Sequence, residues 1–267
     1  MTRLPLTLRC VSYGSANLVL AFLILPLFAV FPASFNRSSF IRLPPDMYST
    51  RWYQAFLNDP EWMTTLVTSL KIAVLATILA VVVGTMAAIA LQSMSRRWRI
   101  AMTGLLLAPM IVPVIVTAVA IYRTAIEFGL SGTVGALVAT QAMLGMPIAA
   151  LNVGISLRSI DPSWSRAAAG LGAGPLRIFF TVTLPNILPG MIGGTVFAFL
   201  SSFDEVIVAS FIAGFKNKTL PVKMWEVVRL EFTPIVAVAS VFMIAVAIVL
   251  FFAGRAAGAK QQTGVAR

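Results

Sequence analysis

Asp204 and Glu205 are the only acids set inside an otherwise apolar stretch of this 267-residue sequence. A carboxylate among apolar residues is costly, and by default it marks a pathway or a charged partner. Along one helix the pair would lie about 27 Å beyond Asn186, at about 1.5 Å per residue. Adjacent helical positions point about 100° apart, so the two carboxylates do not both face one path. In the outer half of a translocation path, such a group would replace part of the hydration lost by a polycation. The structural alternative is a carboxylate near the interface that caps a helix or pairs with Lys or Arg of another subunit. Glu127, Trp225, Glu226 and Glu231 fall in segments expected to be outer loops. An aromatic beside carboxylates suits an organic cation, whereas loop acids are more often simply solvated.

The remaining residue types exclude much chemistry. Cys10 is the one cysteine, which rules out an internal disulfide or a thiolate metal cluster. There is no histidine, so the commonest metal ligand and the usual general base near neutral pH are both missing. Ser-His-Asp triads and H-E-x-x-H zinc sites are thereby impossible. No G-x-x-x-x-G-K-[ST] loop occurs, so no nucleotide is held through a Walker A motif. Energy for work must come from an ion gradient or from another subunit. An intramembrane enzyme would need an Asp- or Lys-based site, and no other span offers Asp204 a carboxylate partner. A gradient-driven secondary transporter would show paired inverted repeats, broken helices and more buried ionisable groups, none of which is legible here.

The elements that must position these residues are set by lipid. Hydrophobic residues make up 59% of the chain and charged ones only 11%, with a mean hydropathy of +0.92. Soluble domains are about 45–50% apolar and about 25% charged. A water-soluble fold of this size could not hide so much apolar surface. Six charge-free runs, 10–36, 72–95, 100–122, 128–157, 178–203 and 232–254, are each long enough to cross about 30 Å of hydrocarbon. The first run exceeds the apolar core of a secretory signal and lacks a clear cleavage site, so it counts as a span. Trp52, Trp62, Trp98, Trp164 and Trp225 all fall at or beyond span ends, where amphipathic rings prefer to sit. Prolines 109, 113, 147, 185 and 189 lie within or beside spans, and neighbouring helices can re-satisfy the backbone groups they free.

Net charge +11 would suggest nucleic acid for a soluble protein. On a membrane protein it reports orientation instead, because cytoplasmic loops collect Lys and Arg. With both termini cytoplasmic, the inside segments hold eleven basic residues against Asp161 alone. The outside segments hold eight basic residues and six acids. The tight Arg96-Arg97-Trp98-Arg99 loop strengthens this bias toward both termini inside. No nucleic-acid partner is expected. Lys71, near the outer start of the second span, is expected to snorkel to the headgroups, and Gly190 with Gly194 forms a small-xxx-small pair suited to close helix packing.

Between the fourth and fifth spans, Asp161 followed by Pro162 reads as an N-cap with proline at the first helical position. The helix should run through the alanines and end near Gly172, a natural left-handed residue. Pro175 then starts a second short helix running to Leu184-Pro185. The result is a helix-turn-helix outside the membrane, with small side chains at 167–169 that allow another protein's backbone to approach. Read from composition alone, it could equally be a plain amphipathic connector.

This stretch resembles the cytoplasmic signature E-A-A-x-x-x-G-x9-I-x-L-P of bacterial ABC importer permeases. Arg166-Ala167-Ala168, then Gly172, then Val182-Thr183-Leu184-Pro185 stand in the same register, with valine for isoleucine and arginine for glutamate. Within that superfamily the chain is most similar to the second permease of spermidine/putrescine-type importers. The likeness rests on Phe35-Asn36-Arg37-Ser38, Thr50-Arg51-Trp52-Tyr53, Ser202-Phe203-Asp204-Glu205-Val206-Ile207-Val208-Ala209-Ser210-Phe211 and Leu220-Pro221-Val222-Lys223-Met224.

The resemblance implies an all-α membrane protein with the type I importer permease fold. It would have a first helix and outer loop over 1–60, a five-span core over 61–256 containing the coupling segment 161–185, and a cytoplasmic tail over 257–267. It implies inner-membrane localisation, a second homologous permease, two ATP-binding subunits that hold ATP and Mg, and a periplasmic solute-binding protein. Arg166, Ala167, Ala168, Gly172, Leu184 and Pro185 would then contact the ATPase. Asp204, Glu205, Trp225 and Glu226 would be candidates for the substrate path. A polyamine is the implied solute, with amino-acid-like solutes, opines or phosphonates behind it. The Asp-Glu pair resembles one shared by permeases of different substrates.

Overall fold

A computed structural model describes residues 6–230 and 233–265, with side chains at 13–230 and 233–258. Glu231, Arg3 and Arg267 lie outside the described residues. The described chain is helical, apart from loops and one isolated antiparallel bridge between Asn36 and Tyr48. In order the helices are α1 (Leu6–Ser34), α2 (Arg51–Asn58), α3 (Pro60–Ser93), α4 (Arg96–Ile111), α5 (Val114–Glu127), α6 (Val134–Arg158), α7 (Pro162–Gly170), α8 (Pro175–Ile178), α9 (Leu184–Phe203), α10 (Ile207–Ile212), α11 (Leu220–Leu230) and α12 (Pro234–Val265). A single π-helical stretch, Phe179–Thr183, joins α8 to α9. Five helices among the described residues are long and apolar enough to cross a membrane, or six when α4 and α5 together count as one span.

That pair departs from the sequence reading, which takes 100–122 as one span. The chain bends by 96° between α4 and α5. Pro113 has no N–H to give to the carbonyl at 109, and it pushes Val112 into an extended conformation (φ −70°, ψ 133°). A sharp break therefore exists where the sequence showed an uninterrupted run. The second span also begins earlier than its charge-free run. α3 starts at Pro60 and reaches 34 residues, about 51 Å at about 1.5 Å per residue. It therefore extends past a hydrocarbon core of about 30 Å.

The chain divides into two compact units. One contains α1, the loop after it, α2, the start of α3 and residues 226–245. Phe56 is its fully buried centre, stacked on Phe242 at 4.9 Å and tilted against Trp62 at 5.4 Å. Two of the stretches that carry the family likeness meet there. The Trp52 indole donates to the Ser38 carbonyl (3.1 Å), and the Phe35 and Tyr53 rings lie 4.9 Å apart. Asn36 is buried with both ends of its amide engaged: the nitrogen donates to Arg42 O and the oxygen accepts from Ser38 N, each at 3.0 Å.

The other unit contains the rest of α3, α4 to α10, Leu220 to Trp225 and the end of α12. Its core is layered along α3 and α6. One layer joins Ile72 and Leu137 to Ala118 of α5 and to Val208, Ala209 and Ile212 of α10. The middle layer is all alanine, Ala76, Ala80, Ala142 and Ala198, so α3, α6 and α9 approach closely. At the other end Ala88, Val153, Leu157 and Ile187 close the stack. In lipid, where apolar side chains gain little by leaving solvent, such contact packing carries the association.

Candidate functional site

The segment at 161–185 forms as its local chemistry dictates, with one correction. The Asp161 carboxylate accepts from Ser163 N (2.8 Å), and Pro162 opens α7. That hydrogen bond holds the Asp161 carboxyl below its ordinary range. α7 ends in a Schellman closure: Ala173 N donates to Ala168 O (3.0 Å) and Gly172 N to Ala169 O (2.9 Å), with Gly172 at φ +82°. The expected second short helix does not end at Leu184-Pro185. It passes through the π-helical stretch straight into α9, so Pro175–Phe203 is continuous. Within this continuous run Pro185 has no N–H to give to a carbonyl one turn back, and it directly follows the π-helical stretch, where the hydrogen-bond ladder already changes register. Arg166 and Ala167 are exposed, and Leu171 and Leu176 beside the turn are 90% and 75% exposed.

From this segment α9 runs back along α6 through a seam of small residues. A Cβ on Gly190 would stand 2.6 Å from Asn152 O, and one on Gly194 would stand 3.1 Å from Ala149 Cα. Gly193 faces the Asn152 side chain at 3.2 Å by the same construction. The two glycines noted in the sequence thus do pack closely, with Gly193 as a third.

At the far end of α9 the two acids separate in role. Asp204 is the C-terminal cap of α9 and is exposed, and no cation among the described residues pairs with it. Glu205 folds onto α10, its two carboxylate oxygens accepting from Val208 N (2.7 Å) and Ala209 N (2.8 Å). Glu205 therefore takes the capping role that the sequence left open, and Asp204 keeps a carboxylate available. Glu127 lies on the exposed end of α5 in an ion pair with Arg123 (3.2 Å). Trp225 is 49% exposed on α11, and the next residue, Glu226, is half-buried. Glu231 falls outside the described residues.

Sequence reasoning missed a buried polar pair just beneath this end. Gln141 of α6 accepts from the Ser202 hydroxyl of α9, both nearly inaccessible, and the Gln141 amide nitrogen has no partner among the described residues. A glutamine in the middle of a charge-free run is the signal that could have found it. It also missed Ser69 of α3, whose hydroxyl accepts from Leu220 N (2.7 Å) and satisfies the first donor of α11. These partners are 61 and 151 residues apart in the chain.

An all-helical membrane bundle with an extramembrane helix-turn-helix between two tightly seamed spans is the architecture of a type I importer permease. The chain belongs to the family of binding-protein-dependent transport system inner membrane components, whose model matches residues 60–260. It is thus a multi-pass inner-membrane permease subunit of an ABC importer. It is 35% identical over 240 residues to the putrescine transport system permease protein PotI of Escherichia coli strain K12, covering 87% of this chain and 85% of that one. It is 29% identical over 232 residues to the spermidine/putrescine transport system permease protein PotC of Haemophilus influenzae, covering 87% and 90% respectively. Among solved structures it superposes with a TM-score of 0.68 and 14% identity on a chain of a bacterial alginate ABC transporter crystallised with its pentasaccharide-bound periplasmic protein, covering 93% of this chain and 92% of that one.

Proposed function

We propose that this subunit forms half of a translocation path for a polyamine of the putrescine or spermidine class. The observation that carries the reading is the 35% identity to a putrescine permease across most of both chains. The position of Asp204 supports it, because an exposed carboxylate at the end of a span offers a protonated amine an acceptor as it leaves water.

The assembly pairs the chain with a second homologous permease and two ATP-binding subunits that hold ATP and Mg. A periplasmic solute-binding protein delivers the solute. The termini face the cytoplasm, which puts segment 161–185 against the ATPases. ATP binding closes those subunits, and the segment around Arg166, Ala167, Ala168 and Gly172 moves with its groove. The contacts of Leu184 and Pro185 pass that motion into α9. The Gly190–Gly194 seam carries it to α6, opening the cavity toward the solute.

Arg166 stands where the family signature has glutamate, so the contact that glutamate makes there is either lost or replaced by a pair with an acid on this importer's own ATPase. Uptake of labelled putrescine and spermidine by cells expressing the full importer, with and without Asp204→Asn, tests the reading. Uptake of at least one polyamine that falls in the variant is expected. Absence of uptake of both would sink the substrate class and leave the permease assignment standing.

A further inference from the structure

At the end of the bundle where α3 stops, α4 starts and α6 stops, a cleft of about 960 Å³ opens, also bordered by α7. Arg99 and Arg158 line it with Gln92, Thr103, Ser165 and Thr183, and no acid does. Next to it lies a second cavity of about 280 Å³, walled only by apolar residues such as Ala90, Met94, Met102 and Met146. The two cavities share Leu91 and Leu106.

Their order along the helices is consistent. The arginines sit at the span ends, while Ala87 on α3, Leu105 on α4 and Met146 on α6 lie one or more turns deeper. A cationic mouth at the helix ends thus leads into a dry slot one or more turns deeper along the spans. Arg96, Arg97 and Arg99 also crowd the first turn of α4, against the helix dipole, and Ser95 provides that helix with no side-chain cap. That arrangement costs stability unless an anion covers it.

We infer that this paired cleft and slot is a binding site for an anionic phospholipid, with its phosphate on Arg99 and Arg158 and one acyl chain in the methionine-lined slot. A soluble phosphate could meet the arginines but leaves the slot empty. A zwitterionic lipid fills the slot but brings its own cation to the arginines. The inference is independent of which solute the importer carries.

The test is native mass spectrometry of the purified full importer from vesicles of mixed phosphatidylglycerol and phosphatidylcholine. The wild-type protein should retain phosphatidylglycerol preferentially. Arg99→Gln and Arg158→Gln should each lower that preference about fivefold. Arg99→Lys with Arg158→Lys should keep most of it, and Ala90→Trp should expel both lipids. The single variants are read individually, so poor assembly of a double variant does not obscure the result. Equal retention by wild type and both Gln variants would overturn the inference, as would a wild-type importer that retains no lipid. Displacement of the bound lipid by excess inorganic phosphate alone would overturn it too.

Discussion

Glu205 and Asp204 are neighbours with separable consequences. Glu205 satisfies two of the orphan N–H groups that open α10, so Glu205→Ala should destabilise the folded subunit by about 1 kcal/mol. Glu205→Gln keeps one acceptor oxygen and should cost less. A thermal-unfolding scan of the solubilised importer reads both, and an unchanged midpoint for Glu205→Ala would refute the capping role. Asp204 makes no such contacts, so Asp204→Asn should leave the midpoint alone and act on uptake. Beneath them, Gln141→Leu strands the Ser202 hydroxyl in an apolar site. Side-chain hydrogen bonds between membrane helices average only about 0.6 kcal/mol, so the loss should stay below about 2 kcal/mol. A larger loss would mean that the unpartnered Gln141 amide holds something further in the assembled importer.

Among the elements, what was legible in the sequence is what local chemistry decides. The Asp161-Pro162 start and the Gly172 stop of α7 follow from capping and φ preference within a few residues, and both appear as expected. The bend at Val112-Pro113 was not legible, because Pro147 and Pro189 sit inside unbroken helices and Pro113 looks no different in a charge-free run. Which proline breaks a span depends on the neighbours that re-satisfy its freed carbonyl. The Gln141–Ser202 and Ser69–Leu220 bonds were equally hidden, since tertiary packing alone brings their partners together.

Three glycine substitutions separate local from tertiary effects. A Cβ at Gly172 would meet nothing within 4 Å, so the main cost of Gly172→Val is the left-handed backbone, about 1–2 kcal/mol. It should loosen the turn between α7 and α8 and lower solute transported per ATP hydrolysed, which paired uptake and phosphate-release assays measure. Full coupling in that variant would argue against a rigid segment. Gly194→Leu should cost about 1–3 kcal/mol or more, because its side chain is driven into Ala149 and forces the α6–α9 seam apart. Gly154→Ala, on the same α6 but with open space around it, should be neutral or stabilising by comparison.

At the scale of the whole molecule, the charge excess becomes a statement about sides of a membrane. Segments assigned to the cytoplasm carry net +10 and those assigned outside carry net +2. Lys71, Asp204 and Glu205 belong to neither group. A margin of eleven basic residues to eight is small for a rule that counts Lys and Arg and gives acids little weight. It gains force from location: Arg96, Arg97, Arg99 and Arg158 gather at span ends on one side. The prediction is therefore N-in and C-in. Cys10 is the only native cysteine, so Cys10→Ser provides a thiol-free background. In that background Ser131→Cys, in the exposed turn before α6, should react with a membrane-impermeant maleimide in intact spheroplasts. Ser163→Cys, exposed in the first turn of α7, should react only after the membrane is permeabilised. The reverse pattern would invert the subunit, turn segment 161–185 away from any cytoplasmic ATPase, and remove the basis for coupling through Arg166.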